Sequence, residues 1–401
     1  MDVHHIRAQF PGLRDKTFLD AACVSLAPRV AIEAVEEFLH MALCGPERSA
    51  TLHHITMDEK RAQARREAAR LINASEDEIA LVESTTHGLS LAAQALPLER
   101  GDRVMLCDLE FLELALPWCQ LSERIGIEID VVSHREGAVR VQDIADGITG
   151  KTKVVAISSV QWTNGFRCDL GALSTLCRDR GVWLVVDAIQ QLGAIPIDVR
   201  QTPVDILACG GHKWLNAPFG AGFLYIRRER LPDLRPPMAG YLSVEPPPGG
   251  WGEYFQTPDI TPVRAYRFTT EARQYEIGGT GNYPGTIGLA ASLRLINELG
   301  PSRLAEHIFR LTDHLIAGLR TLGIRLVTPV DRQYRSGIIT FTVGPVRENV
   351  ELMEYLLDHR VCVSVRYTSR VGGVRASCHF YNSLEDLDRL LNLVDVWRRR
   401  R

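Results

Sequence analysis

The chain has 401 residues, 45% hydrophobic and 24% charged, with a formal net charge of −3 at pH 7. Such a composition describes an ordinary globular protein built as one large and one smaller domain, and gives no reason to expect nucleic acid or an anionic membrane as partner. The nine cysteines form no CxxC pair and no cluster with histidine, and neither a leader pattern nor an apolar run of membrane-spanning length is present, so no metal is expected and a reducing, cytoplasmic setting is.

In chain order, Thr17-Phe18-Leu19-Asp20 followed by Ala21-Ala22 reads as a short strand entering a turn. Helical spacing of apolar residues predicts helices over 31–43 and 57–72. Ile79-Ala80-Leu81-Val82 is a predicted strand, Glu83 to Gly88 a turn, and 89–96 helical again. Strands at 103–107, 127–132, 154–159 and 183–186 then alternate with helices at 114–124 and 170–179. This alternation argues for a mostly parallel sheet covered by helices on both faces, with ligands at the carboxyl ends of its strands. Residues 236–262 are rich in Pro and Gly without a period and are expected to form a functional flap or a subunit contact. Helices are expected at 286–299 and 302–322, followed by mixed strands and helices.

The stretch VDILACGGHKWLNAPFGAGFLYIR, residues 204–227, carries the first chemical signal. Two apolar runs flank Gly210-Gly211-His212-Lys213-Trp214, and Lys213 is one of five lysines in the chain. It is either a loop lysine on a Gly-rich turn or a buried amine of lowered pKa, and the latter attacks carbonyl groups such as the aldehyde of pyridoxal phosphate. Asp187 ends the apolar strand Trp183 to Val186. An aspartate there either caps the next element or keeps a pyridine nitrogen protonated. Ser84-Thr85-Thr86-His87-Gly88 offers hydroxyls and backbone N–H groups before a helix, a pattern that caps helices and also binds phosphate. Glu276-Ile277-Gly278-Gly279-Thr280 is a second Gly-rich turn with a hydroxyl.

Together these stretches resemble the class V aminotransferases, pyridoxal-phosphate enzymes of fold type I that include cysteine desulfurases, selenocysteine lyases and isopenicillin N epimerase-like proteins. The strongest parts are VVDAIQQLGAIPIDV, GGHKWLNAPFGAGFLYI and GVRASCHFYNSLEDLDRLL. The resemblance implies an α/β fold: a large domain over 16–285 with a mostly parallel seven-stranded sheet, a smaller α+β domain over 286–401, and residues 1–15 packing on the latter. It implies pyridoxal 5′-phosphate as cofactor, with Lys213 forming the Schiff base and moving protons, and Asp187 on the pyridine nitrogen. Gln190 and Asn164 would support the ring's phenolic oxygen, Phe111 would stack on the ring, and Thr85, Thr86 and His212 would hold the phosphate. Thr280 would reach the phosphate of a neighbouring subunit in a homodimer. Arg375 would grip the substrate carboxylate, as a planar guanidinium can with two parallel hydrogen bonds, and Arg366 would add a second anion contact.

The chain also departs from that pattern. Where desulfurases carry histidines it reads Glu110 to Trp118, and no cysteine-bearing loop precedes Arg375. Cys362 falls in an apolar strand pattern and is expected to be inert, Cys378 to pack, and His379 to fix the arginine strand. Gly210 stands where many relatives use a phosphate-binding serine. The expected function is chemistry on an α-amino acid through an external aldimine and a Cα carbanion, foremost β-elimination by a C–S lyase or desulfurase-like enzyme. Transamination and epimerisation are the alternatives, and a catalytically silent binding module of the same fold is the non-enzymatic one.

Overall fold

The computed structural model describes residues 3–258 and 260–400; Met1, Asp2, Asp259 and Arg401, which belong to the terminal segments and the Pro-rich stretch named above, lie outside the described residues. Thirteen strands occur among them: β1 (Thr17–Phe18), β2 (Ile79–Val82), β3 (Arg103–Cys107), β4 (Glu128–Val132), β5 (Thr152–Ser158), β6 (Trp183–Asp187), β7 (Ile206–Gly210), β8 (Gly222–Ile226), β9 (Arg325–Leu326), β10 (Ile338–Thr342), β11 (Val361–Cys362), β12 (Ser364–Thr368) and β13 (Val371–Ser377). Seven form the central sheet in the order β2-β8-β7-β6-β5-β3-β4. Neighbours are parallel from β7 through β4, and β8 alone runs against β2 and β7. β7 and β8 are buried along their whole length, which is why they read as continuous apolar runs rather than alternating ones. Edge strand β4 is the exposed exception. No helix is long and apolar enough to cross a membrane among the described residues.

The strand expectations hold to within two residues, as do most helix starts; three helices begin earlier than expected, at Ala50, Thr85 and Tyr283. Glu83 to Gly88, expected as a turn, contains the N-cap Ser84 and the first turn of helix Thr85–Ala95, because the Ser84 hydroxyl accepts from the His87 N–H at 3.1 Å. The Pro-rich stretch contains a short helix, Gly250–Tyr254, missed for want of length.

The second sheet, β12-β13-β10-β9, is antiparallel and packs with helices Val346–Asp358 and Leu384–Arg399 around Ile339, Phe341, Leu352, Val374, Leu387 and Leu390. Apart from Leu19, its core takes residues from Leu311 onward, whereas Leu289 to Phe309 share the core of the central sheet, so helix Tyr283–Leu299 packs with the large body of the protein. The N-terminal segment lies across both bodies: Arg7 pairs with Asp386 at 2.7 Å and β1 lies parallel to β11, while Phe10 packs on Phe380 and Tyr381 within the core shared with the central sheet. Asp20 then bridges to Ser377, delivering residues 20–23 to the junction between the two sheets.

Buried Glu276 ties the Gly-rich turn before Thr280 to the sheet. Its carboxylate accepts from Arg65 at 2.8 Å and from the Leu81 N–H at 3.1 Å, with Arg61 Nη2 at 3.0 Å. Glu276→Ala strands two arginine charges, that of Arg61 buried, and is expected to lower stability by about 3–5 kcal/mol, read as a lowered melting temperature.

Candidate active site

The carboxyl ends of β2, β3, β5, β6 and β7 open on one cavity of about 530 Å³ between the two bodies. Its wall includes Cys23, Thr85, Phe111, Trp162, Asp187 and Lys213, with Arg366 and Arg375 from the second sheet. Each strand therefore contributes through the residues that follow it, as open α/β sheets do.

Lys213 sits on the turn after β7, its amine toward the Phe111 ring with Nζ 5.7 Å from the centroid. Among the described residues its amine makes no hydrogen bond or ion pair, while its carbonyl accepts from the Asn216 N–H at 3.0 Å. Burial lowers its pKa from 10.5 to about 8, against the raising effect of Asp187 and with a further lowering from Arg375. The turn is fixed from behind: the Trp214 indole donates to Gln190 at 2.8 Å, and His379 Nε2 donates to the Trp214 carbonyl at 3.1 Å. Because His379 Nδ1 accepts from the Phe380 N–H, the ring is a neutral Nε2–H tautomer, and burial pushes its pKa down to about 3. It serves the lysine turn rather than acting as a base.

Asp187 closes β6, in register with Ser158 of β5 and Ala208 of β7, and is 4% exposed. One oxygen accepts from the Ile189 N–H at 2.9 Å. Burial raises its pKa from 3.8 to about 6, offset in part by that bond and by Lys213. A buried carboxyl group beside an unpaired amine is an arrangement that folding alone does not reward.

At the other end lies the N-terminus of helix Thr85–Ala95. Thr85 accepts from the Gly210 N–H at 2.8 Å, and Thr86 donates to Glu113 at 3.0 Å. Gly210 is what allows this approach, since a Cβ there would stand 2.8 Å from the Thr85 hydroxyl. The departure noted at Gly210 thus coincides with a close approach to Thr85. His212 lines the cavity, stacked on Phe219, and burial holds its pKa near 4. Phe111 also lines it, edge-on to Trp162 at 5.1 Å.

Arg375, 1% exposed, donates to the Trp162 carbonyl at 2.8 Å and to Asp20 and Ser364 at 3.2 Å, leaving Nε without a partner. The sheet register sets Arg375 opposite Ser364 and Arg366 opposite Gly373, so both arginines share one face.

Asn164 requires correction. It is fully buried and away from the cavity, its amide donating to the Gly137 carbonyl at 2.7 Å and accepting from Phe166 N–H at 3.0 Å. The loop instead presents Trp162, whose buried indole N–H has no partner. Gln190 does line the cavity, with its amide bound to Ala22 and Trp214 and one N–H left over. Thr280 is exposed and does not line the cavity of its own chain. Cys362 and Cys378 also lie outside it, and burial raises both thiol pKa values, that of Cys378 to about 12. Sequence reasoning missed Trp162 and Cys23, which lie two residues from Asn164 and just past Ala21-Ala22 in loops whose course no local pattern sets.

The cavity suits pyridoxal phosphate on its own terms: an unpaired amine, a buried carboxyl, an aromatic wall, two unsatisfied buried donors and a helix N-terminus at one end. The fold and site define a fold-type-I pyridoxal-phosphate enzyme. The Aminotransferase class-V profile matches residues 17–390, and the chain belongs to that family. It is 28% identical over 402 residues to a probable cysteine desulfurase of Pyrococcus abyssi, covering 97% of this chain and 96% of the relative. A cysteine desulfurase of Escherichia coli is 27% identical over 409 residues, with 97% and 96% covered. The apo structure of a cysteine desulfurase from Thermococcus onnurineus superposes with a TM-score of 0.84 at 26% identity, over 98% of this chain and 97% of that one.

Proposed function

We propose that this enzyme cleaves the carbon–sulfur bond of a cysteine-type α-amino acid. The observation that carries the reading is Lys213, an amine of lowered pKa with no ionic partner, placed in one cavity with Asp187 and the unfilled donor of Arg375. The full-length likeness to relatives named cysteine desulfurase gives the sulfur substrate its support. When bound, pyridoxal phosphate draws off the electron pair left at Cα by a departing proton, which lets a sulfur substituent on Cβ leave.

Asp187 would hold that cofactor's pyridine nitrogen, Phe111 and Trp162 would flank its ring, and Gln190 would offer its spare N–H. Thr85, Thr86, the helix N-terminus and His212 would take the phosphate. Arg375, with Arg366 beside it, would orient the substrate carboxylate, and the Lys213 amine would accept and return the Cα proton. Thr280 would complete the partner's phosphate site in a homodimer, so a dimer is expected in sedimentation, and Thr280→Ala is expected to weaken cofactor retention without dissociating it. The nine unpaired thiols suit a cytoplasmic setting.

The test is product analysis with L-cysteine and L-cystine: sulfide or persulfide accompanied by alanine or pyruvate supports C–S cleavage. A keto acid formed in step with an aminated cofactor, or the D-isomer alone, would replace the proposal by transamination or epimerisation. A second test is the pH dependence of Lys213 labelling by pyridoxal phosphate and borohydride in the unloaded protein. Labelling is expected to rise with pH as the ammonium loses its proton, with a midpoint near 8 instead of 10.5.

A further inference from the structure

Of the nine cysteines, Cys23 is the one that lines the active-site cavity among the described residues. It arrives from the N-terminal segment, on the turn after β1, where the Asp20–Ser377 bridge holds the chain against β13. Its sulfur accepts a hydrogen bond from Arg366 Nη2 at 3.6 Å. Lys213 and Arg375 lie near enough to interact with it electrostatically. Cys23 is half-buried and opens on the cavity with Arg366 against its sulfur, so the thiol is reachable by a ligand bound there. A second, independent observation marks where a ligand belongs beside it. The Arg375 Nε, in a side chain 1% exposed, has no acceptor, and the Trp162 indole N–H on the same wall has none either. Buried donors of this kind call for an anionic group such as an amino-acid carboxylate.

We propose that Cys23 is the catalytic nucleophile that takes the substrate's sulfur, an assignment that rests on the C–S cleavage reading above. The Cys23 thiolate attacks Sγ of L-cysteine; the S–S bond forms as the Cβ–S bond breaks. The electron pair of that bond stays on Cβ, which gains the proton given up by Cys23 and leaves as the methyl group of alanine. The substrate sulfur keeps its own hydrogen and remains as a Cys23 persulfide. Cβ is reduced by two electrons and the sulfur pair is oxidised by two, so no outside oxidant is required. A small-molecule thiol then removes the outer sulfur by exchange and restores Cys23.

The experiment incubates cofactor-loaded enzyme with L-cysteine and no reductant, then maps thiols by peptide mass spectrometry. The expected result is about one alanine per site, with one extra sulfur on the Cys23 peptide. Cys23→Ser is expected to lower alanine formation by about 100-fold or more while L-cysteine still perturbs the near-visible spectrum, which separates a lost nucleophile from a lost fold. Cys362→Ser is expected to keep both. In the unloaded protein, Arg366→Gln is expected to slow iodoacetamide alkylation of Cys23, a readout independent of turnover. Alanine and persulfide formed undiminished by Cys23→Ser would overturn the assignment. Sulfide and pyruvate formed without any Cys23 persulfide would overturn it too, leaving C–S cleavage intact, whereas no sulfur release from the wild type would sink both.

Discussion

Lys213→Ala is expected to abolish covalent retention of the cofactor and to lower turnover by at least about 10³-fold, since one side chain supplies both the attachment and the proton transfer. The loss should be functional and not structural. The turn is held by Trp214, Gln190 and His379, none of which bonds to the lysine side chain. In the unloaded protein the substitution even removes a liability. Lys213 is pushed from 10.5 to about 8, so between those values the unfolded chain binds more protons and stability rises with pH. Below pH 8 the folded protein carries the whole desolvation cost, up to about 3 kcal/mol at 1.36 kcal/mol per pKa unit. Melting temperatures of unloaded wild type and Lys213→Ala should therefore differ most near pH 7, with the variant at least as stable, and converge toward pH 10.5. Destabilisation by the alanine at pH 7 would mean that the lysine serves folding.

Asp187→Asn is expected to produce the second largest loss, about 10²–10⁴-fold in turnover, because a neutral amide cannot hold a pyridine nitrogen in its protonated form. Here too geometry is kept: the amide oxygen can still accept from the Ile189 N–H. The pH signature has the opposite sense. With a folded pKa of about 6 against 3.8 for the ordinary group, the folded protein binds more protons between those values, so stability falls as pH rises through that window. The unloaded wild type should gain stability on acidification from pH 7 toward 5 at this site, and Asp187→Asn should lack that gain. Loaded protein should behave otherwise, since the cofactor's cationic nitrogen would stabilise the carboxylate. Thermal scans at pH 5 and 7, with and without cofactor, separate these cases.

Much of this site can be read from the chain because its chemistry is tied to strand ends. Asp187 and Lys213 each follow a buried apolar strand, and the parallel order of β6 and β7 brings them together. Arg375 was legible through the sequence likeness of its strand, and Arg366 follows from the register that sets it on the same face. What the chain hides is the path of its loops. Asn164 and Trp162 lie two residues apart in one turn after β5, and only the bonds to Gly137 and Phe166 decide that the asparagine points away while the indole lines the cavity. Cys23 is hidden for a similar reason: nothing local places residue 23 beside residue 366, and the link is made by long-range pairing of β1 with β11 and of Asp20 with Ser377. The helix start at Thr85 was blurred because a capping serine and a phosphate turn use the same residues.

The most direct measurement is a near-visible absorbance spectrum of the purified protein with pyridoxal phosphate, before and after L-cysteine and before and after borohydride. The account predicts a cofactor band that L-cysteine shifts, that borohydride removes while fixing the cofactor to the Lys213 peptide, and that is accompanied by sulfur release. No band, or a cofactor fixed to a lysine other than Lys213, would contradict it.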